Sequence, residues 1–325
     1  MRHVAFALFL SLSPTCLAQN RSTEAGEASI KDPYLECQPY GYPPVSNSLS
    51  SFPGIWQPAS ILPNDTAAMN LWNSIAGGVP SSKIPVKVPL CNRVIYCYPT
   101  NDPDCWWTYN HCMTPKLSGL PPDIYQVPEP RSLGYGFDDG PNCSHNAFYD
   151  YLQSQNQKAT MFFIGSNVMD QPLEAQRALT DGHEICVHTW SHRYMTAFSS
   201  QSAFAELYYI QQIKAIELVI GITPTCWRPP YGDIDDRIRA IATGLGLRTL
   251  MWGYDSDDSR LGISGISSKD VDASYESFIN SANTGQFNTT GAIILAHELS
   301  NFTMSEAVKY YPQLRAAFKV RPYNV

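Results

Sequence analysis

Five short segments from residue 137 onward in this 325-residue chain carry groups that could do chemistry: Phe137-Asp138-Asp139-Gly140-Pro141, His188-Thr189-Trp190-Ser191-His192, Arg228-Pro229-Pro230-Tyr231, Asp255, and Leu295-Ala296-His297-Glu298. Carboxylates, imidazoles and a guanidinium are the groups used for proton transfer and for holding a metal ion. Each segment alone also has a plain structural reading. Asp-Asp-Gly-Pro is a common turn sequence. Two histidines four residues apart can be ordinary hydrogen-bonding residues, Arg228 a structural ion-pair partner, and His297 a satisfied core residue. The zinc-protease pattern His-Glu-x-x-His is absent, because His183-Glu184 would need a histidine where Val187 stands. What singles these segments out is that all five follow strand candidates.

Strand candidates run over 133–137, 159–164, 184–188, 225–228, 249–254, 292–296 and 319–325. Helix-like stretches lie between them: Phe148, Tyr151 and Leu152 share one face, as do Ile238, Ile241, Ala242 and Leu245. The stretches 203–218 and 306–318 have the same texture. Strand then helix, repeated, implies βαβ units and an α/β fold with a parallel sheet. Six or seven units within the 195 residues from 131 to 325 fit a small closed barrel better than the usual eightfold one. In such a barrel the C-terminal strand ends converge on one mouth, which is where the five segments would meet. No dinucleotide glycine fingerprint or phosphate loop follows the first strand, so nucleotide chemistry is not expected.

Composition narrows the class further. The chain is 44% hydrophobic and 16% charged, with a net charge of −7, which argues against disorder and against nucleic acid as a partner. Residues 1–18 read as a secretory signal, with Arg2 and His3 before an apolar run and Cys16-Leu17-Ala18 before the cleavage point. No later apolar run reaches the ~20 residues of a transmembrane helix, and no anchor signal is expected at the C-terminus. Eight cysteines remain after the signal, an even number that suggests disulfides without fixing which pair. Sequons at Asn20, Asn64, Asn142, Asn288 and Asn301 fit a eukaryotic secretory route to the cell wall or medium. Residues 19–130 hold five of the eight cysteines and show little periodicity; they are expected to be a disulfide-tied, loop-rich extension packed on a catalytic domain at 131–325. Trp106, Trp107 and Tyr109 leave open a carbohydrate-binding role for that extension.

The five segments, in this order, resemble the motifs of the polysaccharide deacetylases, carbohydrate esterase family four. The stretch from Asn142 to Arg239 is similar to the fungal chitin deacetylases in particular. The resemblance implies a distorted (β/α)7 barrel and hydrolysis of the N-acetyl groups of chitin, a β-1,4-N-acetylglucosamine polymer, to chitosan and acetate. It implies a divalent metal on Asp139, His188 and His192, polarising the carbonyl and lowering the pKa of bound water. Two nitrogens and a carboxylate suit zinc, with cobalt the alternative. By the same resemblance Asp138 is the general base, oriented and held ionised by Arg228. The backbone N–H of Tyr231 receives the oxyanion, and His297 is the general acid, tuned by a pairing with Asp255. Leu295, Trp190 and Tyr231 are expected to contact substrate, and the enzyme to act as a monomer.

Two positions depart from the family pattern. Ser259 stands where a tryptophan usually closes the fourth motif and, with Leu295, walls the acetyl pocket; Gly136 stands where threonine is expected. Asn142, a sequon beside the first motif, is expected to be unmodified or to point away from the mouth. Rival readings are a deacetylase of peptidoglycan or acetylxylan, and a non-catalytic wall polysaccharide-binding protein.

Overall fold

The structure, a computed structural model, describes residues 20–87, 98–211 and 214–323. The expected signal at 1–18, together with Cys91 and Cys97, lies outside the described residues. Apolar runs with no alternation, such as Thr160–Phe163 with every residue buried, form the central strands, as a parallel sheet covered on both faces requires. The strands are β1 (Ser132–Gly134), β2 (Gly136–Gly140), β3 (Thr160–Phe163), β4 (Glu184–Val187), β5 (Cys226–Trp227), β6 (Arg248–Thr249), β7 (Tyr254–Asp255), β8 (Ala292–Leu295) and β9 (Lys319–Arg321).

All pairings between these strands are parallel, in the orders β2-β3-β4-β5-β6 and β7-β8-β1-β9. Only Tyr135 separates β1 from β2, so the two fill one barrel position, and with β3 to β8 they give seven. A bridge between Asp138 and His297 joins the two sheets, with Asp138 N–H donating to Ala296 O (3.0 Å) and Glu298 N–H to Asp138 O (2.8 Å). The strand expected over 249–254 is instead two short ones, β6 and β7. Between them the chain crosses the barrel's open seam, where Ile124 of the extension pairs on both sides: its N–H donates to Thr249 O (2.9 Å) and its carbonyl accepts from Met251 N–H (2.7 Å). The barrel is distorted there because a segment from outside it supplies the missing hydrogen bonds.

Helices cover the outside. Asn146–Ser154 buries Phe148 and Leu152 of the expected face, with Tyr151 half-buried and Tyr149 buried beside them, and Asp236–Gly244 buries Ile238, Ile241 and Ala242 as the spacing predicts. The second helix is capped by Asp235, whose carboxylate accepts from Ile238 N–H (3.0 Å). Residues of the extension, Val45, Phe52, Ala59, Ala68 and Val79, belong to the same continuous core as the barrel. Disulfides reinforce this arrangement. Cys37–Cys143 ties the extension to the loop after β2, Cys105–Cys112 closes a small loop within it, and Cys186–Cys226 joins β4 to β5. Among the described residues no helix is long and apolar enough to cross a membrane.

Candidate active site

Successive residues of a strand face opposite sides of the sheet, so Asp138 and Asp139 should diverge. They do not, because the β2–β3 register shifts between Asp138 and Gly140 and Asp139 takes a φ of 73°. That bulge breaks the alternation and aims both carboxylates into a cleft of about 880 Å³ at the C-terminal strand ends. Thr189 (φ 66°), His192 (φ 53°) and Tyr231 (φ 58°) are also left-handed. Each such residue costs about 1–3 kcal/mol unless its surroundings hold it.

Buried carboxylates do the holding. Glu206, on the helix Ser200–Gln211, accepts from the N–H groups of Trp190 (3.1 Å) and Ser191 (2.9 Å) and from Ser191 Oγ (2.8 Å), fixing the loop that carries both histidines. Glu298 accepts from Asn142 N–H (3.0 Å) and Tyr149 O–H (3.0 Å) and lies 3.0 Å from His145 Nδ1, fixing the loop after β2. Neither residue was singled out for a role by sequence reasoning. A lone glutamate gives no signal until the fold brings several donors to it.

Asp139, His188 and His192 present one ligand atom each within 4.8 Å of one another. His188 Nε2 and His192 Nε2 lie 3.3 and 3.0 Å from Asp139 Oδ1, a buried oxygen that accepts no well-formed hydrogen bond. The tautomer of His188 follows from its other nitrogen. Nδ1 sits 2.8 Å from the carbonyl oxygen of Arg228, which can only accept, so in the neutral ring Nδ1 carries the proton and Nε2 offers a lone pair toward Asp139. A cation between His188 Nε2, His192 Nε2 and the orphaned carboxylate oxygen would satisfy all three, and the donor set fits a divalent metal. Burial would push the Asp139 carboxyl up, but positive charge and proton donation from the imidazoles, when these are protonated, outweigh burial and hold it well below the usual carboxylate range; a metal cation on the same oxygen would act in the same direction.

Asp138 is buried next to this group. Arg228 Nη1 donates to its Oδ1 (2.7 Å), and Nη2 donates to the hydroxyl of Tyr323 (3.0 Å). The guanidinium also lies over the Phe162 ring at 4.1 Å. The Thr160 carbonyl, with Tyr323 beside it, explains the glycine at 136. A Cβ there would stand 3.0 Å from the Tyr323 hydroxyl and 2.7 Å from Thr160 O, and one at Gly134 would stand 2.4 Å from the Tyr323 ring. The only trace of this in the sequence is the pair of small residues alternating with aromatics in β1 and β2.

The partner of His297 is Asp258, not Asp255. Asp258 Oδ1 lies 2.6 Å from His297 Nδ1, and its Oδ2 accepts the His297 backbone N–H at 3.0 Å. Asp255, at the end of β7, is exposed and accepts from Asp257 N–H (2.9 Å). The chain turns after β7 through a left-handed Asp257 (φ 59°), and this brings the buried Asp258 back beneath His297. Burial opposes a charge on the imidazole, but Asp258 overcomes it with help from Asp139 and Asp138, and the ring pKa is pushed up to about 10.

Tyr231 and Leu295 line the cleft, together with Ser259, Trp107 and Trp252. The Tyr231 ring is exposed, stacks on Tyr194 at 4.3 Å and meets His192 edge-on at 4.8 Å. Trp190 does not reach the cleft. Its indole is fully buried, stacks on Phe52 at 5.8 Å and donates from Nε1 to Gly54 O (3.1 Å), because the extension covers it. Trp106 is likewise buried, donating to Asp233 (3.0 Å). Asn142 sits at the mouth, with Nδ2 donating to Leu299 O (2.8 Å), while Asn20, Asn64, Asn288 and Asn301 are exposed.

Residues 126–250 match the polysaccharide deacetylase family. The chain is 53% identical over 300 residues to chitin deacetylase 2 of Cryptococcus neoformans var. grubii, covering 91% of this chain and 65% of that protein. It is 44% identical over 301 residues to the chitin deacetylase of Amylomyces rouxii, covering 90% of this chain and 70% of that protein. It thus spans about two thirds of the length of these curated relatives. The solved structure of the chitin deacetylase from the fungal pathogen Colletotrichum lindemuthianum shares the fold, with a TM-score of 0.55 at 23% identity, over 62% of this chain and 90% of that one. With a barrel of this kind and relatives this similar along nearly its whole length, the chain belongs to the polysaccharide deacetylase family, carbohydrate esterase family four.

Proposed function

We propose that this protein is a secreted, metal-dependent chitin deacetylase that hydrolyses N-acetyl groups of β-1,4-N-acetylglucosamine chains. The observation that carries the reading is one cleft holding a buried Asp-His-His donor set, an arginine-paired carboxylate and a carboxylate-paired histidine. Chitin is favoured over peptidoglycan and acetylxylan by the two relatives above, both named for chitin.

Asp139, His188 and His192 would hold the metal, with zinc the ion best suited to two nitrogens and a carboxylate. Bound there, it supplies Lewis-acid polarisation of the acetyl carbonyl and a more acidic water. Arg228 keeps Asp138 in one orientation, so that the carboxylate takes the proton of the attacking water. The left-handed turn at Tyr231 offers its backbone N–H to the oxygen that gains charge. His297 donates the proton that lets the amine leave. Asp258 on Nδ1 keeps the ring cationic at neutral pH and leaves the Nε2 proton for the cleft; once that proton is given up, the neutral ring keeps its hydrogen on Nδ1. Asp255 lies outside this relay.

Acetate release tests the reading. The expected result is release from N-acetylglucosamine oligomers, with acetylated xylan and peptidoglycan turned over more slowly. Folded, metal-loaded protein that leaves the chitin oligomers intact would contradict it.

A further inference from the structure

We propose that Trp56, on the extension, is a stacking platform for a sugar unit next to the one that reacts. The extension would then supply a second binding subsite for the polymer. The inference rests on the chitin reading above and adds to it a place where a neighbouring N-acetylglucosamine ring is held.

Trp56 lies outside the family-matched residues 126–250 but lines the same cleft as Asp138, His188 and His297. It is the one exposed tryptophan of the seven, at 40% exposure; the others are buried or half-buried. A lone exposed aromatic is unremarkable in itself. This one, however, is held in place by hydrogen bonds. Its backbone N–H donates to Ser166 Oγ (2.8 Å) and its indole Nε1 to Asp170 Oδ2 (2.9 Å). Both partners belong to the helix Gly165–Asp170 that follows β3. Its φ of 62° is a conformation that bulky residues rarely take. The indole is therefore fixed on the barrel, partly exposed, where the residue lines the cleft.

Its position fits a linear substrate. The strand order β3-β4-β5 puts the loop carrying His188 and His192 between the helix that holds Trp56 and the turn that carries Tyr231. Two exposed aromatic side chains thus flank the metal-binding loop, and Tyr231 is braced by its stack on Tyr194. The pyranose ring of a β-1,4-linked sugar has a flat face of C–H groups and carries its hydroxyls at the edge. Laid on an indole, it buries apolar area while the hydroxyls stay hydrated. A polymer crossing the mouth with one unit at the catalytic groups would place a neighbouring unit over Trp56.

The test is calorimetric titration of monomeric N-acetylglucosamine and a chitin hexasaccharide into full-length protein in an Asp138→Asn background, so that ligand is not consumed. Trp56→Ala is expected to weaken hexasaccharide binding by about two- to tenfold and leave the monosaccharide, too short to reach from the catalytic groups to Trp56, unchanged. Trp56→Leu keeps the bulk without the flat face and carries the same comparison if the alanine variant fails to fold. Unchanged hexasaccharide binding in a folded variant, or equal weakening at both lengths, overturns the proposal. Acetate release by the wild type is measured alongside. Chain-length-dependent loss on mutation with no acetate release would refute the enzymatic reading and keep Trp56, whereas release with no chain-length effect would refute Trp56 alone. Failure to bind the hexasaccharide refutes both.

Discussion

Replacing Asp258 by asparagine should move the alkaline limb of the reaction. A general acid works only while protonated, so turnover that depends on His297 is full below the ring's pKa and falls tenfold per unit above it. The pKa stands at about 10 against an ordinary 6.5, a rise of roughly 3.5 units, which at about 1.36 kcal/mol per unit is on the order of 5 kcal/mol in favour of the charged ring. Burial works against that charge, and the rise comes from Asp258 in contact and from Asp139 and Asp138 beyond it. A cation on Asp139 cancels much of the share of the two site carboxylates and leaves Asp258 as the main group holding the proton. Asp258→Asn keeps the shape and an acceptor for Nδ1 but removes the charge. The loss of an opposite charge at this range is worth about 1–3 pKa units, so the limb should move down by that amount. The assay is the pH dependence of kcat for acetate release from a chitin hexasaccharide, comparing wild type, Asp258→Asn and Asp255→Asn. The limb should move in Asp258→Asn and stay in place in Asp255→Asn. Superimposable wild-type and Asp258→Asn profiles, or a shift in Asp255→Asn alone, would refute the reasoning.

Further outcomes follow from the same geometry. Asp138→Asn should lower kcat by about 10²–10⁴-fold while metal content, measured by atomic emission, is unchanged; loss of metal would mean that the roles of the two aspartates are reversed. Trp190→Phe should lower Tm and leave KM for chitin oligomers as it was, since the indole packs on Phe52 under the extension; a raised KM at unchanged Tm would put that ring against substrate. Replacing Cys37 and Cys143 together by serine opens a loop of 106 residues and should cost about 2–5 kcal/mol in denaturant unfolding, with no cost expected only if the extension does not stabilise the barrel.

The parts legible in the sequence were those with a local signature. The buried run Thr160–Phe163 and the helical faces at Phe148 and Ile238 follow from periodicity, and five polar segments at strand ends point to one mouth. Departures arose where the answer depends on turn geometry or on distant segments meeting. In Asp255-Ser256-Asp257-Asp258-Ser259 several acids compete for one histidine, and only the left-handed turn at Asp257 decides for Asp258. Trp190 sits between two metal-ligand candidates and reads as a site residue, but what covers it comes from Phe52 and Gly54, well over a hundred residues earlier in the chain. The strand expected over 249–254 breaks because Ile124, from outside the barrel, takes its hydrogen bonds. Tyr323 reaches Arg228 across 95 residues, and nothing local to either residue announces the contact.

The most direct test of the central claim is metal dependence at the Asp139–His188–His192 group. Protein stripped with a chelator should stay folded, release no acetate from chitin oligomers, and recover on addition of zinc or cobalt, with about one ion bound per chain. His188→Ala should prevent both the binding and the recovery. Acetate release that persists in stripped protein, or that returns in His188→Ala with the metal, would contradict the account.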